Sequence, residues 1–154
     1  MDIGISSDDR QAITDSLSVL LADSYNLYLK THGYHWNVTG PMFRTLHLMF
    51  EEEYTELAIA VDEVTERIRS LGHVAPASFS SYSDLSSIPE DASVPAAMDM
   101  IAHLVTDHET VARSARNTLV VAEGADDAAT ADLATRRLDV HEKTAWMLRS
   151  LLEG

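Results

Sequence analysis

The residues best suited to chemistry in this chain are histidines and carboxylates at helical spacing. His47 and Glu51 are four residues apart, and so are Asp62 and Glu66. On an α-helix that spacing points both members of a pair at one spot. Imidazole is the commonest neutral metal ligand and carboxylates suit hard cations, so the two together make a mixed donor set for a metal ion. All four residues lie between Pro41 and Leu71, a stretch with one continuous helical pattern. At roughly 100° per residue, Glu51 and Asp62 fall only about 20° apart around the axis, so the four side chains share one stripe. Along the axis, however, His47 and Asp62 are roughly 22 Å apart, whereas a metal ion needs its donors within about 2–2.5 Å.

One copy of this helix therefore cannot gather the four donors around one ion, but two copies can. If the helix packs antiparallel against its symmetry mate, the His47 end of one copy meets the Asp62–Glu66 end of the other. Two equivalent sites then form about a two-fold axis, and the geometry predicts at least a dimer. His35, just ahead of this helix, can join His47 from the same chain. The alternative is a di-iron centre within one bundle, which uses Glu-x-x-His on two helices. The residues three before the histidines are Leu29, His32, Arg44, Ser70, Met100, Val105 and Leu138. None is Glu, which disfavours that arrangement.

The elements that must position these donors are helices. The first is expected from Asp8 to Tyr34, where Ser6 and Asp9 resemble a capping box and Leu17, Leu20, Leu21, Tyr25, Tyr28 and His32 recur at helical spacing. The second starts near Pro41, continues to Leu71 and stops at Gly72. From His73 to Ser93 the pattern breaks at Pro76, Pro89 and a run of serines, with Tyr82 to Leu85 able to form a short helix. The third helix is expected from Pro95 to Glu123, ending at Gly124, and the fourth from Asp127 to Leu152. No strand or repeat is evident. Four long helices with a long connection between the second and third give an all-α, ferritin-like four-helix bundle with a crossover. The 154 residues suit a single such domain.

Composition narrows the function. Eleven basic residues face 25 acidic ones, a formal net charge of −14. Polyanions are held mainly by Lys and Arg, and the only lysines are Lys30 and Lys143. The first sixteen residues set Asp2, Asp8, Asp9 and Asp15 against Arg10 alone. DNA binding is thus disfavoured and a cationic ligand favoured, although such a charge also serves solubility. The absence of cysteine excludes disulfides and thiolate metal sites. No apolar run has membrane-spanning length, and Met1-Asp2-Ile3-Gly4 does not resemble a signal peptide. A cytoplasmic location is the default expectation.

At this point a resemblance becomes specific. The run His35-Trp36-Asn37-Val38-Thr39-Gly40-Pro41, then Phe43, Leu46-His47, and Asp62-Glu63-Val64-Thr65-Glu66-Arg67 before Leu71-Gly72, closely resembles the Dps family of mini-ferritins. The resemblance spans residues 35–72, and helix number and order agree across the chain. It implies a hollow homo-dodecamer with ferroxidase sites at two-fold interfaces. His35 and His47 would come from one subunit, Asp62 and Glu66 from its partner, and Glu51 would help a second, weaker iron. It further implies oxidation of Fe(II) by hydrogen peroxide, or by O₂, and storage of ferric mineral in the cavity, which suppresses hydroxyl-radical chemistry. Many Dps proteins bind DNA through a lysine-rich tail. This chain has none, so DNA binding does not carry over.

Other residues are read against blander roles. Glu52, Glu53 and Glu56 either seed mineral from the cavity wall or form a solvated helix face. The resemblance places Asp126, Asp127 and above all Asp132 at acidic three-fold pores that admit Fe(II), while helix-dipole compensation is the plainer reading. Trp36 either packs in the core or sits beside the iron and absorbs stray oxidising equivalents, and Trp146 is expected in the core. His32, His103, Asp107 and His108 are weak ligand candidates. His73 and His141 read as structural or surface residues. Two competing functions remain: a nucleoid-condensing structural protein, against which the charge argues, and a metal-binding bundle without turnover.

Overall fold

The computed structural model describes residues 1–153. Helix α1 spans Ser7–Asn37, α2 Phe43–Ser70, α3 Phe79–Leu85, α4 Ala97–Gly124 and α5 Ala128–Ser150. There is no strand among the described residues. The long helices form two hairpin-like pairs, α1 with α2 and α4 with α5, joined mainly through α1 against α4. The residues 71–96 between α2 and α4 form the crossover, and short α3 within it packs on α1.

Local chemistry accounts for the ends. The Ser6 hydroxyl oxygen accepts from the Asp9 amide and donates back to its carboxylate, which caps α1. Helix α1 runs past Tyr34 to Asn37, so His35 and Trp36 lie in its last turn. The start of α2 falls later than Pro41: Gly40 adopts φ +105°, and its carbonyl accepts from the Phe43 amide to close a turn. Helix α2 ends as expected at Gly72, whose φ of +93° suits glycine and ends the chain's helical course. Pro95 likewise precedes α4, which begins at Ala97.

The core is built from one apolar stripe per long helix. Leu17, Leu20 and Leu21 of α1, Phe50 and Leu57 of α2, Leu104 and Val111 of α4 and Leu148 of α5 are fully buried. Each such side chain contributes about 2 kcal/mol by leaving water. A buried carboxylate fastens the crossover to this frame. Asp23 of α1 accepts from the Ser86 hydroxyl at 2.9 Å, the Ser87 amide at 2.7 Å and the Ser114 hydroxyl of α4. No helix among the described residues is long and apolar enough to cross a membrane. Trp146, expected in the core, is 61% exposed on α5. Its position lies on the outward face, because Ala145 and Leu148 take the inward ones.

Candidate metal centre

His35 ends α1 and His47 begins the second turn of α2, and the fold brings their rings together. The imidazoles stack with centroids 3.8 Å apart and planes 19° from parallel. The His35 Nδ1 lies 2.7 Å from the His47 carbonyl, and the His47 Nδ1 lies 2.9 Å from the His35 carbonyl. A carbonyl oxygen can only accept, so both Nδ1 atoms carry a proton and donate. In the neutral rings each Nε2 keeps a lone pair, and no described residue engages either one. This backbone-anchored tautomer is the one a metal-ligating histidine needs.

Around the pair sits an aromatic group. Tyr54 of α2 meets His35 edge-on at 5.2 Å and stacks on His32 at 4.0 Å. Trp36 tilts against His32 at 3.9 Å and is 61% exposed, so it is not a core residue. Burial, with the neighbouring His35, holds the His32 pKa below its ordinary value. Tyr54 was not singled out in the sequence, since an isolated tyrosine carries no spacing signal.

The acidic half of the donor set lies elsewhere on α2. Asp62 and Glu66 are exposed, as are Glu51 and Glu52, and none of the four carboxylates pairs with another described residue. Within one chain no three His, Asp or Glu side chains among the described residues are close enough to share an ion. That agrees with the roughly 22 Å rise between His47 and Asp62. One chain thus carries His47, stacked on His35 of α1, toward the start of the α2 stripe and unpaired carboxylates toward its other end.

Several other candidates are already committed. Asp127, expected at a pore, is 3% exposed and is the N-cap of α5. Its two oxygens each lie 2.8 Å from Arg67 Nη2, and it also accepts from the amide and hydroxyl of Thr130. The charge of Asp127 is spent on joining α2 to α5. Asp126 stays exposed in the turn before it, at φ +54°. Asp132 is exposed and pairs with Arg136 at 3.1 Å, on the same surface as Glu63. Glu56, a candidate nucleating residue, has both of its oxygens held by Arg137. Asp107 pairs with Lys30 at 2.6 Å in a nearly buried contact, and His103 Nδ1 lies 2.9 Å from the Tyr34 hydroxyl. The pair His103 and Asp107 therefore does not converge. His141 is fully buried and joins His108 inside the bundle, while Glu53 is nearly buried beside them.

Comparison with known proteins agrees with this architecture. A model of the ferritin-like domain matches residues 14–154. A low temperature-induced protein of Nostoc sp. is 41% identical over 156 aligned positions, covering 100% of this chain and 87% of that one. DNA protection during starvation protein 2 of Bacillus anthracis is 38% identical over 140 positions, covering 91% of this chain and 96% of the other. The crystal structure of the Dps protein of Vibrio cholerae O1, described as a member of a broad superfamily of ferritin-like diiron-carboxylate proteins, superimposes with a TM-score of 0.94. It is 33% identical, covering 97% of this chain and 94% of its own. With its helices, its crossover and its sequence all in agreement, the chain belongs to the ferritin-like proteins of the Dps family.

Proposed function

We propose that this protein is an iron-storing ferroxidase that works in the cytoplasm as a homo-oligomeric shell, a dodecamer. Fe(II) is bound between two antiparallel copies of α2. His35 and His47 of one subunit supply Nε2 lone pairs, and Asp62 and Glu66 of the other supply negative charge. Glu51, exposed one turn beyond His47, assists a second ion. The anionic donors favour Fe(III) over Fe(II), which drives oxidation. Hydrogen peroxide takes one electron from each of two Fe(II) ions and, with two protons, leaves as two water molecules. Glu52, exposed and unpaired, collects ferric product, and the exposed Asp126 and Asp132 attract Fe(II) toward the shell.

The observation that carries this reading is the reciprocal hydrogen bonding of His35 and His47. It turns both rings so that Nε2 is left unengaged, with His47 on the same α2 stripe as two unpaired carboxylates and His35 of α1 stacked on it. The test is Fe(II) oxidation by the metal-free protein after anaerobic loading, with hydrogen peroxide and then O₂ added, against Asp62→Ala/Glu66→Ala. The expected result is a fast initial phase with peroxide that the double variant loses while the iron stays soluble in the wild type. If both proteins behave like buffer, the ferroxidase assignment fails.

A further inference from the structure

An unbroken run of aromatic rings leads from the surface at the end of α1 to the crossover. Trp36, 61% exposed, packs against His32 with ring centroids 3.9 Å apart, and Tyr54 of α2 packs against the same imidazole at 4.0 Å. Tyr28 comes next, 5.6 Å from His32 and 6.2 Å from Tyr54. It meets Tyr25 at 5.8 Å. The run ends at Tyr82 of α3, stacked on Tyr25 at 4.6 Å. Four of the five tyrosines are thus in one contact chain. Tyr34 stands apart, with its hydroxyl on Asp91.

Indole and phenol are readily oxidised by one electron, and the chain has no cysteine to compete for the oxidant. Trp36 is the member of the run most open to solvent, so a radical oxidant meets it first. An indolyl radical there is reduced by a phenol: the indole regains an electron and a proton, and the phenol gives them up. His32 is not oxidised in that exchange, and its part is to hold Trp36 and Tyr54 against one ring. Tyrosines in contact then pass the radical among themselves, because they are chemically alike. Their geometries are not alike. Tyr25 and Tyr28 lie edge to face at 61°, as do Tyr28 and Tyr54 at 75°, whereas Tyr25 and Tyr82 are only 27° from parallel. Face-to-face overlap brings ring carbons together. Tyr82 also sits on the seven-residue α3 within the crossover, a short element able to shift toward Tyr25 on the long α1.

We propose that Tyr25 and Tyr82 form an oxidative cross-linking site, fed from Trp36 by way of His32, Tyr54 and Tyr28, at which two one-electron oxidants convert the pair into dityrosine. The oxidants are radicals of the hydroxyl class. Each tyrosine loses one electron and its phenolic proton. The two phenoxyl radicals join through the ring carbons beside the oxygens, and the hydrogens on those carbons move to the oxygens to restore both phenols. Two hydroxyl radicals take up the two electrons and two protons and leave as two water molecules. The new carbon–carbon bond fastens the crossover to α1 and removes two oxidising equivalents. None of the proposed iron ligands takes part and any radical source serves, so the inference does not rest on the ferroxidase reading.

The test uses the full chain carrying Trp146→Phe, which leaves Trp36 as the sole tryptophan. Azide radicals made by pulse radiolysis oxidise tryptophan without any iron. The Trp36 radical absorption is expected to give way to that of a tyrosyl radical at a rate independent of protein concentration. Repeated pulses are expected to produce dityrosine fluorescence and one cross-linked peptide pair, containing Tyr25 and Tyr82, in a chain that still runs as a monomer on a denaturing gel. Tyr82→Phe keeps the stacked ring and is expected to lose the cross-link while the radical transfer persists. Tyr28→Phe is expected to lose the cross-link as well, because both contacts leading from His32 reach Tyr25 through Tyr28. Dityrosine that joins other tyrosines or two chains overturns the proposal. So does a tyrosyl signal with no dityrosine, or a cross-link that survives Tyr28→Phe undiminished.

Discussion

His35 and His47 each donate Nδ1–H to the other's backbone carbonyl, at 2.7 and 2.9 Å. Each ring is therefore oriented by the main chain of the other's helix. The end of α1 and the start of α2 are locked together by the groups that would hold the metal.

This mutual support makes the two histidines non-additive. Loss of an outer-shell partner of a metal ligand costs roughly 10–100-fold in affinity or activity. His47→Ala removes a ligand and a support at once, so its effect on the initial Fe(II) oxidation rate should reach at least the upper end of that range. His35→Ala should do the same, and the double variant should be little worse than either single one. Stopped-flow oxidation with peroxide reads all three. A double-variant loss equal to the product of the singles would show that the rings act separately.

Asp127 and Arg67 form the tie between α2 and α5. Arg67→Ala leaves a nearly buried carboxylate without its cation, and such losses cost about 3–5 kcal/mol. Chemical denaturation should show a correspondingly lower midpoint. Asp127→Asn should destabilise likewise and leave the rate of Fe(II) uptake into the assembled protein unchanged. A variant that is stable but slow to take up iron would restore Asp127 to a pore.

Acid should weaken the fold through the buried histidines. His108 has an ordinary value of 6.5, and burial, with the Arg137 charge adding, pulls it down to about 3. A depressed value means that stability is fully present above pH 6.5 and is lost as pH falls toward about 3. The slope approaches about 1.4 kcal/mol per pH unit for one histidine. Denaturation midpoints measured at pH 7, 5.5 and 4.5 should fall in that order, and His108→Gln should flatten the decline. Glu53 beside it, pushed up to about 8 by burial, works in the opposite sense over this window, so a pH profile that His108→Gln leaves unchanged would refute the neutral His108.

Asp23 should control the crossover. It is fully buried and accepts from Ser86, Ser87 and Ser114. Asp23→Ala orphans those donors, at a cost of about 1–3 kcal/mol each where they are buried. Amide exchange at Ser87 and Ile88 should accelerate well before exchange in α4 or α5. Uniform acceleration across all helices would mean that Asp23 serves the whole bundle instead.

Much of this protein is decided by its sequence. The 3.6-residue periodicity, with glycine and serine at the breaks, sets four long helices and a crossover, because those signals are local and the backbone obeys them within a turn or two. Spacing along one helix was likewise enough to show that His47 and Asp62 cannot share an ion within one chain, since the rise per residue is fixed. The tertiary structure decided what each polar group is used for. Glu52 and Glu56 are both acidic and one turn apart, but packing leaves Glu52 in water and sets Glu56 against Arg137 on a helix 81 residues away in sequence. Asp126 and Asp127 are adjacent, and only the second meets Arg67. His141, marked by nothing in the sequence as a partner, meets His108 across the bundle. The His35 and His47 rings donate to backbone carbonyls, whereas His141 Nε2 accepts from the Arg137 guanidinium. No local pattern encodes that difference, because it depends on which long-range neighbour supplies or accepts the proton.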